Sequence, residues 1–399
     1  VTISDSTEVI GDVANGYRAG QGLNMANRLW RWETPDSKTS RWVKTSNEQS
    51  GYVNKGKINV YGGLETAPIT GLNVAFGTAQ NIGSANAGKI DIDHGYGIYG
   101  TDASLIKNTG KITVSGKYNP ANISQLRQNR NISAENVPSG ENYGIVGISD
   151  TDIIDYNIEN NGSVINSVSI EQSGADAETK VEGKLAVGIY GENRNNALAS
   201  NIKIKYDNSS RTNAGIDVSN PNVTLSTARG VGIALVNGSS TTYADGALNA
   251  GGEITLNGFG GNIGQFGAAN NDILTGKNGV GVYAESAEIK VDSAKFAVET
   301  KDNGIGLWAM DDTVIARGAD HDKTFNYNYN GAKDKNGFAM AFGGRNTGIT
   351  HASNDLDIKF SNHATNPVDL AYEQAKSKVA AVNGGTYKGI AGILVNTND

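Results

Sequence analysis

The chain contains no cysteine, only 6 prolines, 4 histidines and 3 methionines among 399 residues, and no apolar run approaching the ~18 residues of a membrane-spanning helix. Each shortage excludes something. Without cysteine there is neither a disulfide framework nor a thiolate zinc site. So few prolines exclude a collagen-like or proline-rich chain. His94, His321, His351 and His363 fall into no metal-ligand spacing such as His-Glu-x-x-His, so no metal and no other cofactor is expected. Basic residues are not in excess: 34 Lys and Arg stand against 41 Asp and Glu, for a net charge of −7, which argues against a nucleic-acid partner. No Gly-x-Ser-x-Gly nucleophile elbow occurs. The glycine-rich run Gly258–Gly264 lacks the following helix that a dinucleotide site requires. No signal peptide or starting methionine opens the chain, and its last phrase, from Gly389 to Val395, stops partway. A piece of a longer protein, without membrane contact of its own, is therefore expected.

Glycine, by contrast, is abundant: 52 of 399 residues, against an ordinary share of roughly 7 %. It recurs in a phrase. Gly95-Tyr96-Gly97-Ile98-Tyr99-Gly100 is repeated as Ala186-Val187-Gly188-Ile189-Tyr190-Gly191 and as Gly279-Val280-Gly281-Val282-Tyr283-Ala284. Gly304-Ile305-Gly306-Leu307-Trp308-Ala309 puts tryptophan in place of tyrosine. Strand alternation gives such a phrase a branched apolar face (Val187 and Ile189, Val280 and Val282) and a face of small residues ending in an aromatic. A second phrase, Gly-Lys-Ile-x-Val, runs through Gly56–Val60, Gly88–Ile92 and Gly110–Val114, with Asn54 and Asn108 suggesting an Asn-x-Gly corner that uses the left-handed tolerance of both residues.

The central glycine of the first phrase stands at 97, 144, 188, 232, 281 and 306, giving gaps of 47, 44, 44, 49 and 25. A spacing that halves once suggests coils of about 20 to 25 residues, the size of solenoid repeats, and hence about 15 coils. The expected fold is all-β: a single-stranded right-handed parallel β-helix with an N-terminal cap over residues 1–50 and repeats over 51–399, interrupted by loop insertions. A β-propeller is the alternative, but the Gly-His and Trp-Asp signals of its blades are missing. Insertions are expected at 117–141, 192–201, 237–250, 257–278 and 318–336, and a short helix at 367–380.

Candidate binding residues are aromatic. Trp30 and Trp32 stand among arginines in the cap, a combination enriched at binding hot spots. Phe325, Tyr327 and Tyr329 share one strand face, with Asn326, Asn328 and Asn330 on the other, and either pack on the body or form a platform for sugar rings or protein. Tyr99, Tyr190, Tyr283 and Trp308 point outward if the aliphatic residues face the core. Carboxylate pairs give the weaker enzyme reading: Asp91 with Asp93, Asp150 with Asp152, and Asp311-Asp312 ahead of His321. The last is faintly similar to the polygalacturonase family, but the Gly-His-Gly and Arg-Ile-Lys motifs are absent. No enzyme is expected.

The Asn-x-Gly-x-Ile-x-Val and Gly-Ile-Tyr-Gly phrases, with Gly/Asn richness and no cysteine, resemble passenger domains of bacterial autotransporters (type V secretion), and most of all the large fusobacterial adhesins. The resemblance covers roughly residues 51–399 and rests on repeat style. It implies a virulence-associated adhesin displayed on the cell surface and anchored in the outer membrane by a C-terminal β-barrel of the parent protein. The partner would be a host-cell surface protein or glycan, or another bacterium. The other readings are a β-helical polysaccharide lyase or glycoside hydrolase, and a passive stalk carrying a distal binding tip.

Overall fold

The Gly-Lys-Ile-x-Val phrases form short strands that lie over one another in register, so that Ile58, Ile90 and Ile112 stack in one column and Val60, Ile92 and Val114 in the next. In the computed structural model this stacking generates a parallel β-helix. Side chains are described for residues 51–61, 68–75, 77–84, 87–116, 141–150, 168–194, 201–219, 229–238, 252–259, 266–291, 296–315, 325–331, 335, 337–344 and 347, and some further strands by backbone alone. Among the described residues there is no helix.

Each coil contributes one strand to each of three sheets, as Thr78–Asn81, Lys89–Ile92 and Gly95–Thr101 do in succession. The sheets hold 10, 11 and 11 strands, and the first of them counts ten coils. At ~4.8 Å per rung the stack is about 45 Å long. The gaps of 44 to 49 residues are therefore single coils swollen by insertions, and the 25-residue step from Gly281 to Gly306 is a coil that is nearly bare. Fewer coils result than the halved spacing suggests, because an insertion lengthens a coil without adding a rung.

Residues 1–50 do more than cover an end. Thr2–Ile3, Ser6–Ile10 and Gln21–Ala26 supply a coil of the three sheets, with Leu23 beside Leu72 and Met25 beside Val74. An antiparallel hairpin, Trp30–Asp36 against Thr39–Lys44, follows before the next coil. At the other end, the expected helix at 367–380 lies partly outside the described residues, and the part that is described, 373–376 and 380, is strand. Glu373–Lys376 pairs antiparallel with Asp357–Asn362, and Ala380–Ala381 pairs with Ile390–Asn396. An open sheet edge offers unpaired backbone groups, and local segments satisfy them as strands.

The repeated glycine does not face outward. Strict alternation fails at this point in each coil whose side chains are described: in Gly95–Thr101 both Gly97 and Ile98 are buried, while Tyr96 and Tyr99 lie half-buried on the outside. The backbone steps inward there, and the paired registers of neighbouring coils skip the residue. Followed through those registers, the position is Gly22, Gly71, Gly97, Gly144, Gly188, Gly232, Gly281, Gly306, Ala339 and Gly392. A β-carbon on Gly188 would sit 2.5 Å from the carbonyl oxygen of Gly232 and 2.6 Å from Cγ2 of Ile216. On Gly232 it would meet the Gly281 oxygen and Ile273 Cγ2, each at 2.5 Å. The space the glycine vacates is filled by a second-sheet side chain of the next coil.

The described interior is mostly aliphatic, with aromatic rings at Phe296, Phe325, Tyr327 and Tyr329, and a polar line runs along the corner between the first and second sheets. Asn54 Nδ2 donates to Asn81 Oδ1 at 2.8 Å, Asn81 Nδ2 to Asn108 Oδ1 at 2.9 Å, and Asn108 Nδ2 to Gln172 Oε1 at 3.3 Å. All four are buried. Asn54 and Asn108 also accept the amides of Gly56 and Gly110 through their side-chain oxygens, at 3.0 and 3.1 Å. The asparagines are absent from the residues of positive φ, so the corner uses their side chains and not a left-handed backbone. Tyr206 takes the next place in register after Gln172 and donates to the Asp272 carbonyl at 2.7 Å. The fully buried Asp272 carboxylate accepts from Asn208 Nδ2 (2.8 Å), Phe259 N (3.0 Å) and Ala297 N (2.8 Å). Burial raises its pKa from 3.8 to about 6 despite these three donors.

Two outcomes follow from this interior. Gly188→Val is expected to destabilise the fold by about 1–3 kcal/mol or more, read as a lower urea midpoint at unchanged m-value, because backbone blocks its new side chain. Asp272 has a folded pKa above its unfolded one, so its contribution to stability is greatest below pH 3.8 and is lost as pH rises through about 6. The change is of order 2–3 kcal/mol. Thermal midpoints recorded from pH 4 to 7 should show that downward slope in the parent chain, and a flatter one in an Asp272→Asn chain of lower overall stability.

Candidate ligand-binding face

The three outer faces differ in chemistry. On the first sheet, opposite charges pair: Lys107 bonds Glu171, its register partner, at 3.0 Å, and Lys290 bonds Glu253 at 2.8 Å and Glu288 at 3.2 Å. The second sheet carries Lys57, Lys89 and Asp91, with Lys111 paired to Glu178 at 3.2 Å. Exposed pairs of this kind contribute little to stability but keep a surface wet. The third sheet is different. Its outward positions include Tyr96, Tyr99, Tyr143, Tyr190, Tyr283, Ile305, Trp308, Met310 and Phe338, all half-buried.

Registry builds this strip. Tyr99, Val146, Tyr190, Ala234, Tyr283 and Trp308 occupy one row across successive coils. Four of the aromatic residues expected from the sequence to point outward, Tyr99, Tyr190, Tyr283 and Trp308, therefore stand in a single file. Tyr96 and Tyr143 form a parallel row with rings stacked 5.4 Å apart. Edge contacts join the rows, Tyr96 to Tyr99 at 5.2 Å and Tyr143 to Tyr190 at 5.5 Å, while Tyr283 meets Trp308 at 5.4 Å. Tyr96 and Tyr143 escape a reading based on alternation, which assigns their position to the core side. The inward step at Gly97 and Gly144 turns it outward. The variety at that position (Tyr96, Tyr143, Val187, Ile305) was the available signal, since the core columns are more uniform.

Carboxylates two residues along the same strand hold the phenols. Tyr143 donates to Glu141 at 3.2 Å, Tyr283 donates to Glu285, and Glu192 is bonded to Tyr190. Arg194 completes the local charge set with its 2.8 Å bond to Glu192. Burial, and then these carboxylates, push the phenols of Tyr143, Tyr190 and Tyr283 well above the ordinary tyrosine range. The rings are thus neutral, fixed in orientation and edged with negative charge.

The remaining candidates lie elsewhere. Phe325, Tyr327 and Tyr329 are fully buried and fill the core, so they form no platform. Phe325 stacks on Phe296 at 6.2 Å, and the Tyr327 hydroxyl bonds Thr300 Oγ1 at 2.8 Å and the Gly304 carbonyl at 3.0 Å. Gly306 and Gly337 make room for these rings. The asparagine face of the same strand is covered as well: Asn328 donates to Asn271 at 2.6 Å, and Asn330 to Glu299 at 2.8 Å. Glu299 also accepts the Gly267 amide at 2.6 Å. Trp30 and Trp32 lie in the hairpin, Trp32 opposite Trp42, and their side chains are outside the described residues.

The carboxylate pairs do not assemble. Asp91 is on the outer face of the second sheet while Asp93 is buried at the following corner. Asp311 and Asp312 occupy left-handed backbone positions (φ 27° and 54°) at the exit from the third sheet, where the Asp311 amide donates to the Gly343 carbonyl at 3.2 Å. Asp152 and His321 are outside the described residues. Among the described residues, no three His, Asp or Glu side chains converge as a metal site would require. The chain matches no protein-family model, no curated protein and no solved structure.

Replacing Glu285 by glutamine removes the charge that opposes ionisation of Tyr283. A spectrophotometric titration of the tyrosines should then show one phenol ionising at lower pH than in the parent, and an unchanged curve would mean that burial alone sets it.

Proposed function

We propose that this chain is part of the passenger of a surface-displayed autotransporter adhesin, and that it binds its partner through the outer face of the third sheet. The observation that carries the reading is the file of half-buried aromatic rings on a rigid, in-register scaffold whose other faces are charged. Contiguous exposed apolar surface marks interaction sites, and tyrosine and tryptophan supply large contact area at little entropic cost. The partner is a host-cell surface protein or glycan, or a molecule on another bacterium. The β-helix keeps the face flat and in a fixed direction, while the parent's β-barrel anchors it in the outer membrane. Absence of cysteine suits export of the unfolded chain.

Labelled chain should bind host cells or partner bacteria saturably, and a Tyr190→Ala, Tyr283→Ala, Trp308→Ala triple variant that keeps its circular dichroism should lose about tenfold or more in affinity. Saturable binding unchanged by the triple substitution would move the contact to the insertion loops. No binding by a folded parent chain would leave a stalk.

A further inference from the structure

The second sheet departs from the charge pairing of the rest of the stack at one place. Lys57, Lys89 and Lys111 are register partners in three successive coils, so three lysines stand in one column on its outer face, ~4.8 Å apart at the backbone. The other described strand lysines are matched by acids. Lys107 and Lys205 flank Glu171, Lys203 lies beside Glu253, Lys180 lies beside Asp217, and Lys290 is bonded to Glu253 and Glu288. Within the column only Lys111 has such a partner, Glu178 at 3.2 Å. Lys57 is exposed and Lys89 half-exposed, and neither makes an ion pair among the described residues. Lys55, on the corner just ahead of the column, is exposed as well.

Like charges directly opposite one another destabilise a sheet, and an anion laid along the column turns that cost into attraction. The spacing selects the form of the anion. An extended acidic peptide presents same-face side chains ~6.8 Å apart and falls out of step with the rungs. A nucleic-acid strand gains from aromatic side chains on which its bases stack, and the adjoining column of Asn59, Asp91 and Thr113 offers none. A linear polysaccharide with sulfate or carboxylate on successive rings needs only a line of cations and polar side chains beside it. We propose that the lysine column of the second sheet binds a linear anionic polysaccharide laid along the axis of the β-helix, on a different face from the aromatic file.

The test uses the whole chain with heparin as the probe, dextran as a neutral polysaccharide and oligothymidylate as a polyanion without anionic sugar rings. Saturable binding of heparin is expected at low salt, weakening as salt rises, with dextran and oligothymidylate bound about tenfold more weakly or less. A Lys57→Gln, Lys89→Gln double variant should lose about tenfold or more in heparin affinity without a lower thermal midpoint, because the two charges it removes repel each other. Glu178→Gln, which frees Lys111, should tighten binding about threefold or more. No heparin binding, affinity within about twofold in the folded double variant, or looser binding by the Glu178→Gln chain overturns the proposal. Equal binding of dextran or of oligothymidylate overturns the anionic polysaccharide as the partner. Heparin binding lost in the Tyr190→Ala, Tyr283→Ala, Trp308→Ala triple variant and kept in the double variant moves the polysaccharide to the aromatic face and overturns the column. Heparin binding through the lysines by a chain that binds no cells supports the column and overturns the adhesin reading.

Discussion

Parallel strand pairing holds successive coils at ~4.8 Å, and everything else in this molecule depends on it. At that spacing each side chain has, above and below it, the residue occupying the same position in the neighbouring coils. A position must therefore tolerate stacking on itself. Isoleucine does so by interlocking branches, as in the column Ile98, Ile145, Ile189, Ile233. Where the backbone steps inward, only the smallest residues fit under the next coil's carbonyl, and glycine fills nine of the ten places. Asparagine can stack because its amide donates on one side and accepts on the other, so a buried polar line satisfies itself.

The same rule shapes the outside. A column of like charges repels itself. On the first sheet Lys107, Glu171 and Lys205 alternate along the axis, whereas on the second Lys57, Lys89 and Lys111 stack in one column, which Glu178 ends by pairing with Lys111. Tyrosine needs no alternation, since neighbouring rings attract through stacked and edge contacts. An aromatic file is thus a low-cost way to give one face of a β-helix a continuous apolar character, and carboxylates two residues along keep the phenol hydroxyls bonded. The file is broken by aliphatic residues at Val146, Ala234 and Ala341, each aligned in register with an aromatic neighbour.

Asp272 shows the cost of breaking the rule inside. Its place has no self-complementary partner, and it is held by Asn208 and two backbone amides from separate coils. Three donors do not fully offset the loss of water, and the carboxyl stays easier to protonate than an exposed one. The group ties the loop before Ile273 to the coils on both sides, and its ionisation makes the stability of that junction depend on pH.

Several features were legible in the order of residues alone. The recurring Gly-Lys-Ile-x-Val and Gly-x-Gly phrases, with no long helical period, require short strands stacked in parallel, because local side-chain pattern decides strand periodicity. Which Tyr and Trp of the Tyr99 series face outward was also readable. The rest was decided by contacts between coils. Ten rungs, and not fifteen, follow from where insertions leave and rejoin the stack, which phrase spacing cannot report. Alternation identifies two faces of Phe325–Asn330 but not which one is inside; Gly306 and Gly337 of adjacent strands open the space that draws the rings inward. The direction of the central glycine, and with it the exposure of Tyr96 and Tyr143, depends on an inward backbone step. That step is stable only because the carbonyl and side chain of the next coil close over it.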